Sequence, residues 1–197
     1  MTVAALYVDI ERGPYASMLG VDCWGVERNA KEYTGPHPVV AHPPCGPWGQ
    51  LAHLCNKQDP ACGPMAVEQV YRYGGVLEHP AGSRLWQVMS LPKPGEFTRD
   101  GLWTLEVDQC RWGHPCRKRT WLLFSGISRY ALGALPVHQE PTHVIDTSSA
   151  EKRRRKAIGA PVRHLPKSRR HLPKSRRHLT PPVFALWLVA LARTAQR

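Results

Sequence analysis

The 197-residue sequence has no apolar run approaching the ~18 residues that a membrane-spanning helix needs, which excludes a membrane partner of that kind. Met1–Gly13 carries no basic stretch ahead of its short apolar run, so the start does not read as a signal peptide. The expected compartment is the cytoplasm. There is no CxxC pair. The six cysteines, at 23, 45, 55, 62, 110 and 116, do not suggest a disulfide framework in a cytoplasmic chain of this length. His53, Cys55, Cys62 and Cys45 match no standard zinc spacing, so no metal is expected. What is present is ordinary for a globular chain: 42% hydrophobic and 21% charged residues. The length suits one domain with a tail, and it suffices to bury a core.

Charge is distributed unevenly. Residues 1–150 hold 13 basic and 14 acidic side chains, whereas 151–179 holds 12 basic ones against Glu151 alone. Nearly all of the net +12 therefore sits in one late segment. Such a block is the footprint of a polyanion, usually nucleic acid, or else a solvated tail. Lys152, Arg153, Arg154, Arg155 and Lys156 open it. A tandem repeat follows, RHLPKSR at 163–169 and again at 170–176, and Arg177-His178-Leu179 begins a third copy. A proline every seven residues forbids a continuous helix there. An in-frame duplication in a tolerant surface loop accounts for the repeat. Arg169, Arg170, Arg176 and Arg177 then form a ladder for phosphates.

Hydrophobic patterning predicts strands over Val3–Asp9, Val21–Val26, Val39–His42, Val76–Glu78, Leu102–Gln109 and Arg119–Phe124. Short helices are expected over Glu27–Tyr33, Met65–Tyr73 and Ser83–Met89. A turn or two of helix is expected over Gln50–Cys55, and one strand within His138–Ile145. A final apolar helix over Val183–Ala192 is expected to start with Thr180 as its cap and Pro181 in first position. The alternation argues an α/β domain with a mainly parallel sheet. Ligand-handling groups of such sheets gather at the carboxyl ends of strands.

Three features there carry candidate chemistry. Cys45 sits on a proline-stiffened loop after a buried strand, where a thiol is positioned as a nucleophile or is simply a packed side chain. Glu78 ends an apolar strand, where a carboxylate meets a ligand or caps a helix. Arg117, Lys118 and Arg119 follow a Gly-His-Pro corner and suit an anion or a base edge, or plain exposure.

Taken in order, these segments resemble the DNA cytosine methyltransferases that act on carbon 5. Pro44-Cys45-Gly46-Pro47-Trp48-Gly49 is similar to their PCQPFS motif, and Leu77-Glu78-His79-Pro80 to their ENV motif. Gly113–Arg119 is similar to GVPQxRxR, Glu27–Tyr33 to the second motif, and Arg177-His178-Leu179-Thr180-Pro181 to the late RxLTP element. The segments 39–45, 77–81 and 113–122 also resemble small methyltransferase-like proteins of phages and prophages. The family's glycine-rich loop, DxFxGxGG, keeps only Asp9 and Gly13, and Gly46 stands where the motif has Gln.

The resemblance implies a truncated Rossmann-like fold of the S-adenosylmethionine-dependent methyltransferases. Its catalytic part would span 1–125, a reduced basic target-recognition segment 126–179, and a helix packing back 180–197. Cys45 would add to carbon 6 of a flipped-out cytosine. Glu78 would hydrogen-bond the base, and Arg119 with Arg117 would hold the base and the Cys45 loop. Asp9, Gly13, Glu27, Asn29 and Pro44 would bind S-adenosylmethionine. DNA is the implied partner, with a further protein for target specificity, and the chain itself a monomer or weak dimer. Two alternatives stay open. One is a catalytically silent DNA-binding, anti-restriction protein of the same fold; the other is a cysteine-dependent cytosine-modifying enzyme with another one-carbon donor.

Overall fold

Six strands form one sheet in the order β2-β1-β3-β4-β6-β5 in the computed structural model of the chain, which describes residues 1–49, 52, 59–144 and 170–196. They are β1 (Val3–Leu6), β2 (Val21–Trp24), β3 (Val39–Ala41), β4 (Gly75–Pro80), β5 (Trp103–Asp108) and β6 (Arg119–Ser125). The first four run parallel, and β6 lies antiparallel between β4 and β5. The expected mainly parallel α/β sheet is present. Its central strands are buried on both faces, which is why Val3–Leu6 and Val39–Ala41 read as unbroken apolar runs.

One face is covered by α1 (Cys62–Tyr73) and α2 (Arg84–Val88), which pack on Leu6, Ala41, Leu77 and Leu123. α1 buries Ala66, Val67, Gln69 and Val70 along one stripe. It stops at Gly74, and Gly75 then starts β4 at φ +125°. A Cβ on Gly75 would lie 1.9 Å from the Val39 carbonyl oxygen, so only glycine lets β4 approach β3 here. Ser83 caps α2 by accepting from the Leu85 amide.

The other face is covered by the C-terminal helix. Phe184, Ala185, Leu188, Val189, Leu191 and Ala192 pack against Val3, Val40, Val76, Leu122 and Phe124. This helix, Pro182–Ala192, is α4 here; the short α3 (Lys174–Arg177) precedes it. Pro181 rather than Thr180 occupies the cap position of α4, and no side chain caps it. Proline needs no amide partner at a helix start, so the Pro181-Pro182 pair sets the boundary in place of a hydroxyl. Val183 and Leu186 stay exposed, so α4 is buried on one side only.

Several boundaries are shorter than the patterning predicts. β1 ends at Leu6 because Tyr7 turns at φ +61°. Glu27–Tyr33 forms only a 3-10 turn at Ala30–Glu32. The strand within His138–Ile145 is β7 (His143–Val144), paired in parallel with β8 (Arg170–His171). The second repeat copy is thus part of the fold: it supplies β8 and α3, and Leu172 is buried. Most of Gln50–Cys55, the block Lys152–Lys156 and the first repeat copy with Arg169 lie outside the described residues. Among the described residues no helix is long and apolar enough to cross a membrane.

Candidate functional site

β1 lies between β2 and β3, so the chain goes from β1 to one side and then crosses back to the other, and a crevice opens at the carboxyl ends where the order reverses. An open cleft of about 970 Å³ occupies that place. Tyr7 and Asp9 enter it after β1, Glu27 and Asn29 after β2, and Pro44 after β3. Of the five residues assigned to a cofactor, Asp9, Glu27, Asn29 and Pro44 line the cleft and Gly13 does not.

Gly13 instead closes the turn behind the cleft wall. Its amide donates to the Asp9 carbonyl at 3.2 Å, and a Cβ there would stand 2.5 Å from that oxygen. The Asp9 carboxylate accepts from the amides of Glu11 and Arg12 at 3.0 and 2.9 Å. Those bonds hold its pKa below the usual carboxylate value. A side chain organises this turn, where a glycine-rich loop would use bare backbone. Gly25 is the tight point of the floor: a Cβ there would lie 2.6 Å from the Val8 carbonyl and 2.7 Å from Glu27 Oε2. Asn29 sits at φ +46°, which asparagine tolerates, and its side-chain amide donates to Glu32 at 2.6 Å.

Patterning did not single out Tyr7 and Gln69, which set the shape of this cleft. Tyr7 donates its hydroxyl to Gln69 Oε1 at 2.8 Å, and Gln69 Nε2 donates to the Ala30 carbonyl at 2.8 Å. Gln69 is a buried polar residue on the apolar stripe of α1, and that break in the pattern was the available signal.

Cys45 follows β3 at the same edge. It is exposed, and its carbonyl accepts from the Trp48 amide at 3.1 Å in the 3-10 turn Gly46–Trp48. Of the other described cysteines, Cys110 and Cys116 are buried and Cys23 and Cys62 half-buried. Burial pushes all four thiols up, Cys110 to about 12, which keeps them protonated and poorly nucleophilic.

Glu78 lies inside, 8% exposed, rather than on the cleft wall. His42 Nδ1 stands 3.1 Å from its Oε2, and Gln109 Nε2 donates to its Oε1 at 2.9 Å. Burial alone would raise its pKa. The bond from His42 and the charges of Lys118, His42 and His79 outweigh that and bring it to about 2. His79 is 1% exposed beside Trp86 and close to the Pro44 carbonyl, with no hydrogen bond of normal geometry at either ring nitrogen. Burial lowers its pKa to about 4, against the opposing pull of Glu78.

Arg117 and Arg119 do not join Glu78. Glu78 pairs with Leu122 across the sheet, and side chains alternate, so Arg119 projects from the opposite face. There it grips Glu106 through two bonds of 2.7 and 3.0 Å. Arg117 pairs with Asp108 at 3.2 Å and is largely exposed. Lys118 is the cation of this motif that acts on Glu78. Its Nζ donates to the carbonyls of His178 and Leu179 at 3.3 Å, drawing the segment before α4 to this edge, where His178 lines the cleft. Of the basic ladder, Arg176 is exposed, Arg177 donates to the Leu172 carbonyl at 3.0 Å, and Arg170 lies in β8.

Among the described residues no group of three or more His, Cys, Asp or Glu side chains could hold a metal. No family model, curated protein or solved structure matches the chain.

Proposed function

We propose that this protein modifies cytosine in DNA by transferring a methyl group to carbon 5 through a covalent bond from Cys45. The observation that carries the proposal is a convergence. A cleft of about 970 Å³, with room for a nucleoside ligand, is walled by Asp9, Glu27, Asn29 and Pro44 at the switch point of a parallel sheet, and the exposed Cys45 lies on the loop that forms one of its walls. The reversed strand β6 between β4 and β5 also suits the Rossmann-like methyltransferase fold.

S-adenosylmethionine fits this donor set. Glu27 at the end of β2 offers a carboxylate suited to two vicinal hydroxyls, and bare Gly25 leaves room beneath it. Asp9 adds negative charge for a cationic ligand, whereas the charge of Asp59 is taken up by its ion pair with Lys31 at 2.8 Å. The donor would supply an electrophilic methyl group and depart as a neutral thioether, its sulfur keeping the electron pair of the broken bond.

The chain's own residues account for the rest. The Cys45 thiolate adds to carbon 6 of a cytosine drawn out of its stack, and the electron pair of the 5,6 double bond moves into the ring. Glu78 accepts a hydrogen bond from the amino group and keeps the ring in place as charge develops. His42 and Gln109 hold one bond to each oxygen, so each oxygen keeps a second lone pair for this bond. Carbon 5 takes the methyl group. A solvent base removes the carbon 5 proton, the Cys45–carbon 6 bond breaks, and the thiolate is restored. Arg176 and the basic segment grip phosphates without reading sequence, which leaves target choice to a partner protein.

The test is transfer of labelled methyl from S-adenosylmethionine to cytosine-containing DNA, with Cys45→Ala as control. Label in DNA with the wild type alone supports the proposal. DNA binding without transfer or donor binding supports the silent DNA-binding alternative.

A further inference from the structure

Tyr15, His42 and Glu78 form a buried relay beneath the Cys45 loop. The Tyr15 hydroxyl lies 2.6 Å from His42 Nε2, and His42 Nδ1 lies 3.1 Å from Glu78 Oε2. Gln109 closes the far end, donating from Nε2 to Glu78 Oε1 and to Thr120 Oγ1, both at 2.9 Å. The members come from five places in the chain: the loop after β1, the end of β3, β4, the 3-10 turn after β5, and β6. Tyr15 is 1% exposed, and Gln109 and Thr120 are fully buried.

The chemistry of the members fixes the direction of the bonds. A buried phenol needs a partner, and the Tyr15 hydroxyl finds His42. The carboxylate only accepts, so His42 Nδ1 and Gln109 Nε2 both donate to it. Turning the Gln109 amide over would set two oxygens against each other, so its orientation is also determined. With one donor on each oxygen, the carboxylate cannot rotate without breaking a charge-assisted bond. The other charged and titratable neighbours of Glu78 are Lys118 and His79.

We infer that Tyr15 and His42 are positioning residues that hold Glu78 as a hydrogen-bond acceptor of fixed orientation beside the Cys45 loop. The inference rests on the proposed function and extends the same site. His42 is three residues before Cys45, so a single loop sets both the nucleophile and the acceptor that orients the base.

The test compares the full-length wild type with Tyr15→Phe, His42→Leu and His42→Asn. The first readout needs no activity. In protein labelled with 15N-histidine, the Nδ1–H of His42 is expected as a downfield, slowly exchanging proton resonance. It should shift in Tyr15→Phe and vanish in His42→Leu. The second readout is methyl transfer to DNA. His42→Leu is expected to lose kcat by about 10- to 100-fold, the worth of a charge-assisted bond. KM for DNA should stay nearly unchanged, because phosphate contacts set it. His42→Asn places an amide nitrogen where Nδ1 stands and is expected to recover most of the rate. Equal rates in wild type and His42→Leu, or equal impairment of the Leu and Asn variants, overturn the positioning role alone. A wild type that shows the resonance but transfers no methyl group overturns the proposed function, and the role with it.

Discussion

The Tyr7 hydroxyl donates to Gln69 Oε1 at 2.8 Å, joining the turn after β1 to the buried stripe of α1 across 62 residues of sequence. Tyr7 holds a left-handed backbone at φ +61°, which costs free energy for a residue with a large side chain. Gln69 stabilises that turn and, through the Ala30 carbonyl, the neighbouring 3-10 turn. Two walls of the cleft thus depend on one amide.

Replacing Gln69 with Leu keeps the volume and leaves the Ala30 carbonyl and the Tyr7 hydroxyl without this partner. The expected loss of stability is about 1–3 kcal/mol, read by urea unfolding. Binding of S-adenosylmethionine should weaken as well, while DNA binding at low salt persists. A variant as stable as wild type would show that water replaces the amide at no cost.

The sheet was legible in the sequence because its strands are short apolar runs bounded by glycine, proline and charge. The edge that carries the candidate site was legible for the same reason, since both the Pro-Pro-Cys and Glu-His-Pro loops follow such runs. Side-chain direction was not. Nothing in Arg117-Lys118-Arg119 says which of three adjacent cations shares a face with Glu78. The antiparallel register of β6 decides it, and it selects Lys118. The relay was equally hidden, because its members are scattered from Tyr15 to Thr120 and meet only through strand order. The repeat was legible as a repeat, but not as one copy packed into the fold, because both copies have identical residues.

Acid should destabilise the fold in two overlapping stages. The His79 pKa falls from 6.5 to about 4 in the folded state, so between those values the unfolded chain binds the extra proton. Stability is therefore present above pH 6.5 and drains as pH falls towards 4, by up to about 3 kcal/mol. Glu78 falls from 4.5 to about 2, and its contribution drains between those values in the same sense. Unfolding midpoints measured from pH 7 to pH 3 should decline steadily, and His79→Leu should flatten the part above pH 4. An unchanged slope in that variant would assign the acid limb to other groups.

Removing one RHLPKSR copy gives the same protein whichever copy is deleted, so a segment able to form β8 and α3 remains. The unfolding midpoint is expected to hold. DNA affinity should fall, and the slope of log affinity against log salt should shrink by up to about 2.7 for the three lost cations. Deleting 163–176 removes Leu172 as well and is expected to lower stability too. A single-copy variant that unfolds would mean that the first copy is also packed.

Glu27→Ala removes the one carboxylate placed at the end of β2 in the cleft. Calorimetric titration is expected to show S-adenosylmethionine affinity reduced by at least about tenfold, as for loss of hydrogen bonds to a charged group. Equal affinities would remove Glu27 from the donor site.

The most direct measurement is a covalent one. Wild-type protein is incubated with S-adenosylmethionine and a DNA oligonucleotide carrying 5-fluorocytosine, and the mixture is analysed by denaturing intact mass spectrometry and peptide mapping. Fluorine cannot leave as the carbon 5 proton does, so a methylated adduct persists once formed. The expected result is a protein–DNA adduct mapped to Cys45 and absent from Cys45→Ala. A wild type that binds both ligands and forms no adduct, or an adduct at another cysteine, would contradict it.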